Sequence, residues 1–262
     1  MIGVAGCGRM GAPMCAALRD GGTQAIGFDV VDKGVAHITT NLMGFAPRLD
    51  TLFSVVRDAV ETDTLLFGAQ NLITTAPNLS RIFICSTLSP RYVKGLRDRI
   101  PAHITLIDAP MSGAQVAARN RSLSFMLGGA QADIDDAIPL LALMGKHFHH
   151  MGPYGSGMQA KVLNNLLAAS HMAMTRLVLD WADASGLDAD KLLALINTSS
   201  GQNWFASGFD TIEFARHGHA PDNSVAILVK DVAAALDAAP QGADTTLPET
   251  VQASIRALTP RG

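Results

Sequence analysis

Six residues near the start, Gly6-Cys7-Gly8-Arg9-Met10-Gly11, constrain the fold of this chain more than any other feature. They follow an apolar, strand-like run at 1–5 and open a helix-like run at 10–20 that closes on Gly21-Gly22. A G-x-G-x-x-G turn between a strand and a helix has a physical use. The first glycine permits a tight turn, the second admits a pyrophosphate close to the backbone, and the third lets helix pack on strand. Phosphates then sit against N–H groups at the positive end of the helix. All six residues are candidate cofactor-binding positions, the bland alternative being a glycine-rich turn with no ligand. Asp29 lies at the end of the next strand, 24–30, 18 residues beyond Gly11. An acid so placed accepts hydrogen bonds from an adenosine ribose and repels a 2′-phosphate, so NAD is expected rather than NADP. Lys33 is the nearby cation that offsets this, and Asp32 competes with Asp29 for the ribose.

Short apolar runs alternate with helix-like patterns through the first ~150 residues, which predicts βαβ units and a parallel sheet. Further strands are predicted at 51–56, 81–85, 104–107 and 123–127, with helices at 90–99 and 132–143. Gly152-Pro-Tyr-Gly-Ser-Gly157 is a dense turn signal. From Met158 to about Ala184 neither proline nor glycine intervenes, and Leu163, Leu166, Leu167, Met174, Leu177 and Trp181 recur at helical spacing. That predicts one helix of about seven turns. Shorter helices are predicted at 189–197, 224–238 and 247–258. The chain therefore divides near Gly152 into an α/β domain, 1–151, and an all-α domain, 152–262.

Hydrophobic residues make up 48% of the 262, and charged ones 16%, so a substantial core is available and wholesale disorder is excluded. Twenty Lys and Arg are mixed with 23 Asp and Glu for a net charge of −3, with no basic stripe suited to nucleic acid. No apolar run reaches the ~18–20 residues of a membrane span. The start of the chain lacks a secretory pattern. Cys7, Cys15 and Cys85 have neither metal-type nor disulfide spacing, which reads as reduced thiols in a cytoplasmic protein. His147, His149 and His150 alternate in a strand-like segment without cysteines or acids beside them, so no metal site is expected. Trp204 either lines a substrate cleft or anchors helical packing.

Lys161 and Asn165 stand four residues apart and share a helix face. Most helical lysines snorkel to water, and by itself Lys161 reads as a surface ammonium. Six segments change that reading. They are Gly6-Cys-Gly-Arg-Met-Gly-Ala-Pro-Met14, Ser86-Thr87, Asp108-Ala-Pro-Met-Ser-Gly-Ala114, the 152–157 turn, Lys161-Val-Leu-Asn-Asn165 and Lys230-Asp231. In this order they make the chain resemble the β-hydroxyacid dehydrogenase family. The resemblance implies a Rossmann-type α/β N-terminal domain with a parallel sheet, a long interdomain helix, and an all-α C-terminal domain for substrate and dimerisation. It implies a cleft for nicotinamide and a small carboxylate substrate of the 3-hydroxyisobutyrate type. In that scheme Lys161 is the catalytic lysine and Asn165 helps hold substrate. Ser112, Gly113 and Ala114 form the substrate loop, Thr87 lies near the nicotinamide, and Lys230 is the cofactor-side lysine. Apart from the resemblance, Lys230-Asp231 reads as a solvated pair.

These residue types suit the chemistry. Oxidation of an alcohol needs a base for the hydroxyl proton as hydride leaves. The ordinary lysine pKa of about 10.4 is too high, but burial and neighbouring cations lower it. In reduction, protonated Lys161 donates to a developing alkoxide. Asn165 does not titrate, which suits it to orientation, and Ser112 donates to a carboxylate. Four features depart from the family pattern. Ala114 and Asn120-Arg121 replace usual glycines, with Arg121 either approaching an acidic substrate or facing water. The 32–50 segment and the stretch after Pro248 are short. The expected activity is NAD-dependent interconversion of a 3-hydroxy acid and its semialdehyde. The alternatives are a tartronate-semialdehyde-type or other short-chain semialdehyde reductase and, in another class, a non-catalytic NAD(P)-binding sensor. A homo-oligomer, dimer or tetramer, is expected to cover the apolar faces of the helical domain.

Overall fold

In the computed structural model, which describes residues 1–262, the glycine turn joins β1 (Ile2–Ala5) to α1 (Gly11–Asp20). The chain continues through β2 (Ala25–Phe28), β3 (Ile38–Thr39), α2 (Leu42–Phe45), β4 (Thr51–Ser54), α3 (Ala59–Leu66) and α4 (Leu72–Thr75). Next come β5 (Arg81–Ile84), α5 (Pro90–Arg99), β6 (Thr105–Asp108), β7 (Met111–Ser112), α6 (Ala114–Arg119), β8 (Leu123–Gly128), α7 (Gln131–Leu141) and β9 (Gly145–Gly152). Helix α8 (Ser156–Ala184) follows, then α9 (Ala189–Ile196), α10 (Trp204–Ser207), α11 (Ser224–Asp237) and α12 (Thr246–Arg256). The chain forms two compact units, Met1–Lys161 and Val162–Gly262.

One sheet orders the first unit as β3-β2-β1-β4-β5-β6-β8-β7, with β9 on β8. The six strands from β3 to β6 are parallel, in the doubly wound order of dinucleotide-binding sheets. Beyond them the sheet is mixed. β8 runs antiparallel to β6 and β7, and β9 parallel to β8. No long crossover helix separates β6 from β8, so the chain returns antiparallel there. Neighbouring residues on each central strand enter opposite cores, as the pleat requires. Val4, Phe53, Phe83 and Ile107 pack on one face with Met14, Leu18 and Ile134. Ala5, Leu52, Ile82, Ile84 and Leu106 pack on the other with Leu66 and Leu96. Phe53 and Phe83 are cross-strand partners and stack with centroids 4.4 Å apart.

The short 32–50 segment carries no full helix between β2 and β3. A two-residue strand, one turn of α2 and a 3-10 turn (Ala46–Arg48) bring Phe45 and Leu49 into the core. Phe45 stacks on Phe28 at 5.1 Å. Gly3 makes the room, because a Cβ there would lie 2.7 Å from Leu49 and 2.8 Å from Phe45. By contrast α5 starts where its sequence says it should. Pro90 fills the first helical turn, and Ser89 Oγ accepts from the N–H groups of Arg91 and Tyr92.

The second unit is all helical. Asp188, Asn203 and Asn223 cap α9, α10 and α11 through their side-chain oxygens. Met172, Leu179, Leu193, Phe205, Val232 and Ile255 lie in its core. Arg176 is buried among them and donates to Ala215 O and His217 O at 2.9 Å and to Thr259 O at 2.6 Å. Burial lowers its pKa, and those three carbonyls give the guanidinium its partners in place of water. No helix is long and apolar enough to cross a membrane.

Candidate active site

The three turn glycines face three different demands. Gly6 has φ 90°, and a Cβ would lie 2.6 Å from Val55 O. A Cβ on Gly11 would fall onto Gly6 O, far inside contact distance. At Gly8 a Cβ would meet nothing within 4 Å, and φ is not in the left-handed region. The protein itself thus requires glycine at 6 and 11, and the open space at Gly8 is a cradle that a Cβ would fill. Helix α1 has no side-chain cap and no acid in its first turn, which leaves its positive end to an anion. Arg9 is exposed and Met10 half-buried at this turn. Cys7 contributes backbone alone. Its thiol lies in the core and donates to Val4 O, and burial pushes its pKa up to about 12.

Asp29 directly follows β2, at the same sheet edge as the turn, with Oδ1 accepting from Val31 N at 2.9 Å. Lys33 Nζ lies 3.3 Å from its Oδ2. Asp32 is engaged locally, accepting from Gly34 N. Thr87 follows β5 at the same carboxyl edge of the sheet, the edge where ligands bind in open α/β sheets.

Helix α8 is anchored to that edge by Asp108, the last residue of β6 and fully buried. Oδ1 accepts from Gly155 N at 2.7 Å and Oδ2 from Met158 N at 2.5 Å. Burial raises the Asp108 pKa, and the N–H donors oppose that by favouring the carboxylate. Gly128 and Gly157 permit the approach, because a Cβ on either would strike Asp108 Oδ1 or Met126 O. Replacing Asp108 with alanine strips two buried N–H groups of their acceptor. Chemical denaturation is expected to show a loss of about 2–4 kcal/mol, and Asp108→Asn, which keeps one acceptor, about half of that. Equal stability of all three proteins would remove Asp108 from this role.

Lys161 stands in the second turn of α8 and is only 7% exposed. The surface-ammonium reading is therefore wrong. In the substrate loop Ser112 ends β7 and pairs with Ser124 of β8. Gly113 has φ 128°, and Ala114, exposed, has φ 55°. Ala114 thus keeps a glycine-like backbone despite its methyl, at a cost of about 1–3 kcal/mol. Arg121 turns away from this loop and pairs with Asp20 at 2.5 Å.

In the second unit Asn165 is buried on α8, and its Nδ2 donates to Asp231 Oδ2 at 2.7 Å. Lys230 Nζ lies 3.7 Å from Asp231 Oδ1. Asp231 is 4% exposed, so the pair is not a solvated one; its acid is buried and orients Asn165. Its signal in the sequence was an acid one residue before Val232 and four before Ala235, on the apolar face of α11. Trp204 packs edge-on against Phe205 and donates to Ala168 O at 3.3 Å, as an anchor in helical packing does. His150 sits on β9 with Nε2 2.9 Å from Gly129 O.

A family model described as the NAD binding domain of 6-phosphogluconate dehydrogenase matches residues 1–152. A second, described as NAD-binding of NADP-dependent 3-hydroxyisobutyrate dehydrogenase, matches residues 155–261. A 3-hydroxyisobutyrate dehydrogenase of Pseudomonas aeruginosa is 30% identical over 249 residues, 90% of this chain and 84% of the relative. An NAD-dependent L-serine dehydrogenase of the same organism is 30% identical over 211 residues, 78% of this chain and 71% of the relative. A solved Mycobacterium tuberculosis 3-hydroxyisobutyrate dehydrogenase with L-serine has the same fold. Its TM-score is 0.80 at 24% identity, over 96% of this chain and 91% of that one.

Proposed function

The chain belongs to the β-hydroxyacid dehydrogenase family, and we propose that it interconverts a small 3-hydroxy acid of the 3-hydroxyisobutyrate type and its semialdehyde with NAD. The observation that carries this reading is a buried lysine, Lys161, four residues before a buried amide on one helix. Nicotinamide, when bound, supplies the acceptor for the hydride that leaves the carbinol carbon. Lys161 takes the hydroxyl proton in oxidation and returns it in reduction. Asp231 holds Asn165 Nδ2, so the amide oxygen, 3.5 Å from Asn164 Nδ2, is turned to accept from a substrate hydroxyl. Ser112 and the N–H of Gly113 donate to the substrate carboxylate. The Gly6–Gly11 turn holds the pyrophosphate, with Thr87 and Lys230 as further cofactor contacts. The reading places the protein in the cytoplasm as a homo-oligomer, the latter supported by the exposed apolar residues of the second unit.

A second reading, oxidation of L-serine to its 2-amino semialdehyde, is favoured by the relative of that name; reduction of tartronate semialdehyde to glycerate is a separate candidate. NADH formation with 3-hydroxyisobutyrate and L-serine, and NADH consumption with tartronate semialdehyde, separate them. The highest kcat/KM is expected with 3-hydroxyisobutyrate. Failure of every substrate while NAD still binds would overturn the catalytic reading. Asp29 supports NAD, and Lys33, paired with it, is positioned to meet a 2′-phosphate once the acid is gone. Asp29→Ala is therefore expected to raise the NADP:NAD ratio of kcat/KM by about tenfold, equivalent to ~1.4 kcal/mol. A wild type faster with NADP contradicts the ribose role of Asp29.

A further inference from the structure

Between β5 and α5 the chain runs Ser86-Thr87-Leu88-Ser89, and the neighbours of Thr87 are held on both sides. Ser86 is buried, and its Oγ donates to Ser54 O at 3.5 Å. Ser89 caps α5. Leu88 is 4% exposed, and its N–H donates to Met158 Sδ at 3.4 Å, across 70 residues of sequence. A buried backbone N–H needs an acceptor, and a thioether is a weak one compared with a carbonyl. Met158 is fully buried in the first turn of α8. It stands three residues before Lys161, on the same helix face. Its own N–H donates to Asp108 Oδ2 at 2.5 Å. Met158 therefore joins three parts of the first unit: the loop that carries Thr87, the carboxyl end of β6 and the start of the helix that carries Lys161. The close approach of α8 to β8, where a Cβ on Gly157 would lie 2.4 Å from Met126 O, fixes the helix backbone against the sheet. The thioether adds a side-chain link from that helix to the residue after Thr87.

We propose, on the reading of Thr87 as the nicotinamide-side residue and Lys161 as the proton acceptor, that Met158 is a positioning residue for the oxidation. Its contact with Leu88 N–H holds Thr87 and Lys161 in register. Hydride leaves the carbinol carbon for nicotinamide C4 while the proton leaves the oxygen of the same carbinol for Lys161 Nζ. The two acceptors must therefore stand at one separation when the bonds break. A misplacement of about 1 Å at a reacting group costs on the order of a hundredfold in rate. Methionine suits this place for two reasons. Met158 lies in the apolar cluster of Leu88, Val93 and Leu96, where a strongly hydrated acceptor is costly to bury. Sulfur supplies an acceptor on an otherwise apolar, space-filling chain.

Two substitutions of similar size separate the acceptor from the packing. Met158→Leu keeps an apolar side chain and removes the acceptor, whereas Met158→Gln keeps the chain length and offers a carbonyl oxygen to Leu88 N–H. In Met158→Leu, kcat with 3-hydroxyisobutyrate is expected to fall about tenfold, with KM and the NAD dissociation constant within about threefold of wild type. Hydrogen exchange at the Leu88 amide is expected to quicken about tenfold or more. Met158→Gln is expected to stay within about threefold of wild type in both kcat and exchange. A packing role predicts the opposite order, because leucine replaces methionine readily in a core and an amide does not. Wild-type kcat in Met158→Leu, or a loss in Met158→Gln as large as in Met158→Leu, overturns the role of Met158 and leaves that of Lys161 standing. Should Met158→Gln fail to fold, Met158→Leu decides: a loss confined to kcat with faster Leu88 exchange supports the proposal, and a loss shared with KM or NAD affinity overturns it. A wild type that binds NAD and oxidises no 3-hydroxy acid overturns the reading of Lys161 and the role of Met158 with it.

Discussion

Lys161→Ala is expected to lower kcat by about a thousandfold, with KM for the hydroxy acid changed far less. A positioned general acid–base contributes ~10²–10⁴-fold, and Lys161 is buried four residues before a buried amide on the same helix. The loss should fall on kcat because the proton moves as the C–H bond breaks, whereas Ser112 and Gly113, the proposed carboxylate contacts, are left unchanged. Cofactor affinity should remain within about threefold of wild type, because the glycine turn is untouched. Retention of a tenth or more of the wild-type kcat would assign the proton transfer elsewhere.

The glycine turn carries the second large effect, and its two glycines separate folding from binding. A Cβ on Gly11 collides with Gly6 O, and both sides of that contact are main chain. Neither can move without opening the turn, so Gly11→Ala is expected to cost about 1–3 kcal/mol of stability and to abolish measurable NAD binding. A Cβ on Gly8 touches nothing in the protein. Gly8→Ala should therefore melt within a degree or two of wild type and still lose NAD affinity, by about tenfold or more, because its methyl occupies the space a pyrophosphate needs. Calorimetric titration with NAD beside thermal melts of the two variants reads both quantities. Wild-type affinity in Gly8→Ala would mean that the cradle holds something other than a pyrophosphate.

Much of this arrangement is legible in the sequence where local chemistry and long-range packing agree. The turn at Gly6–Gly11, the Ser89-Pro90 start of α5 and the uninterrupted α8 each carry their own signal. What escaped detection depends on partners remote in sequence. β3 is two residues long and α2 four, too short for any periodicity, and they exist because Phe45 and Leu49 fill a space opened by Gly3. The antiparallel β8 follows from the short return after β6, which apolar content alone does not reveal. Asp231 looked solvated because an acid beside a lysine usually is; it is buried, and its hydrogen-bond partner Asn165 lies 66 residues away. The apolar residues of α8 announced a helix but not which side faces its own core. Leu163, Leu167, Met174, Leu177 and Trp181 point outward instead.

The central proposal is that the carbinol hydrogen of a 3-hydroxy acid leaves as hydride to the nicotinamide of a dinucleotide whose pyrophosphate lies at the glycine turn. Its most direct measurement uses 3-hydroxyisobutyrate dideuterated at C3, with mass spectrometry of the reduced cofactor. One deuterium per NADH is predicted for wild type, with formation slowed about a thousandfold in Lys161→Ala. Unlabelled NADH, or no NADH from a protein that binds NAD, contradicts the claim.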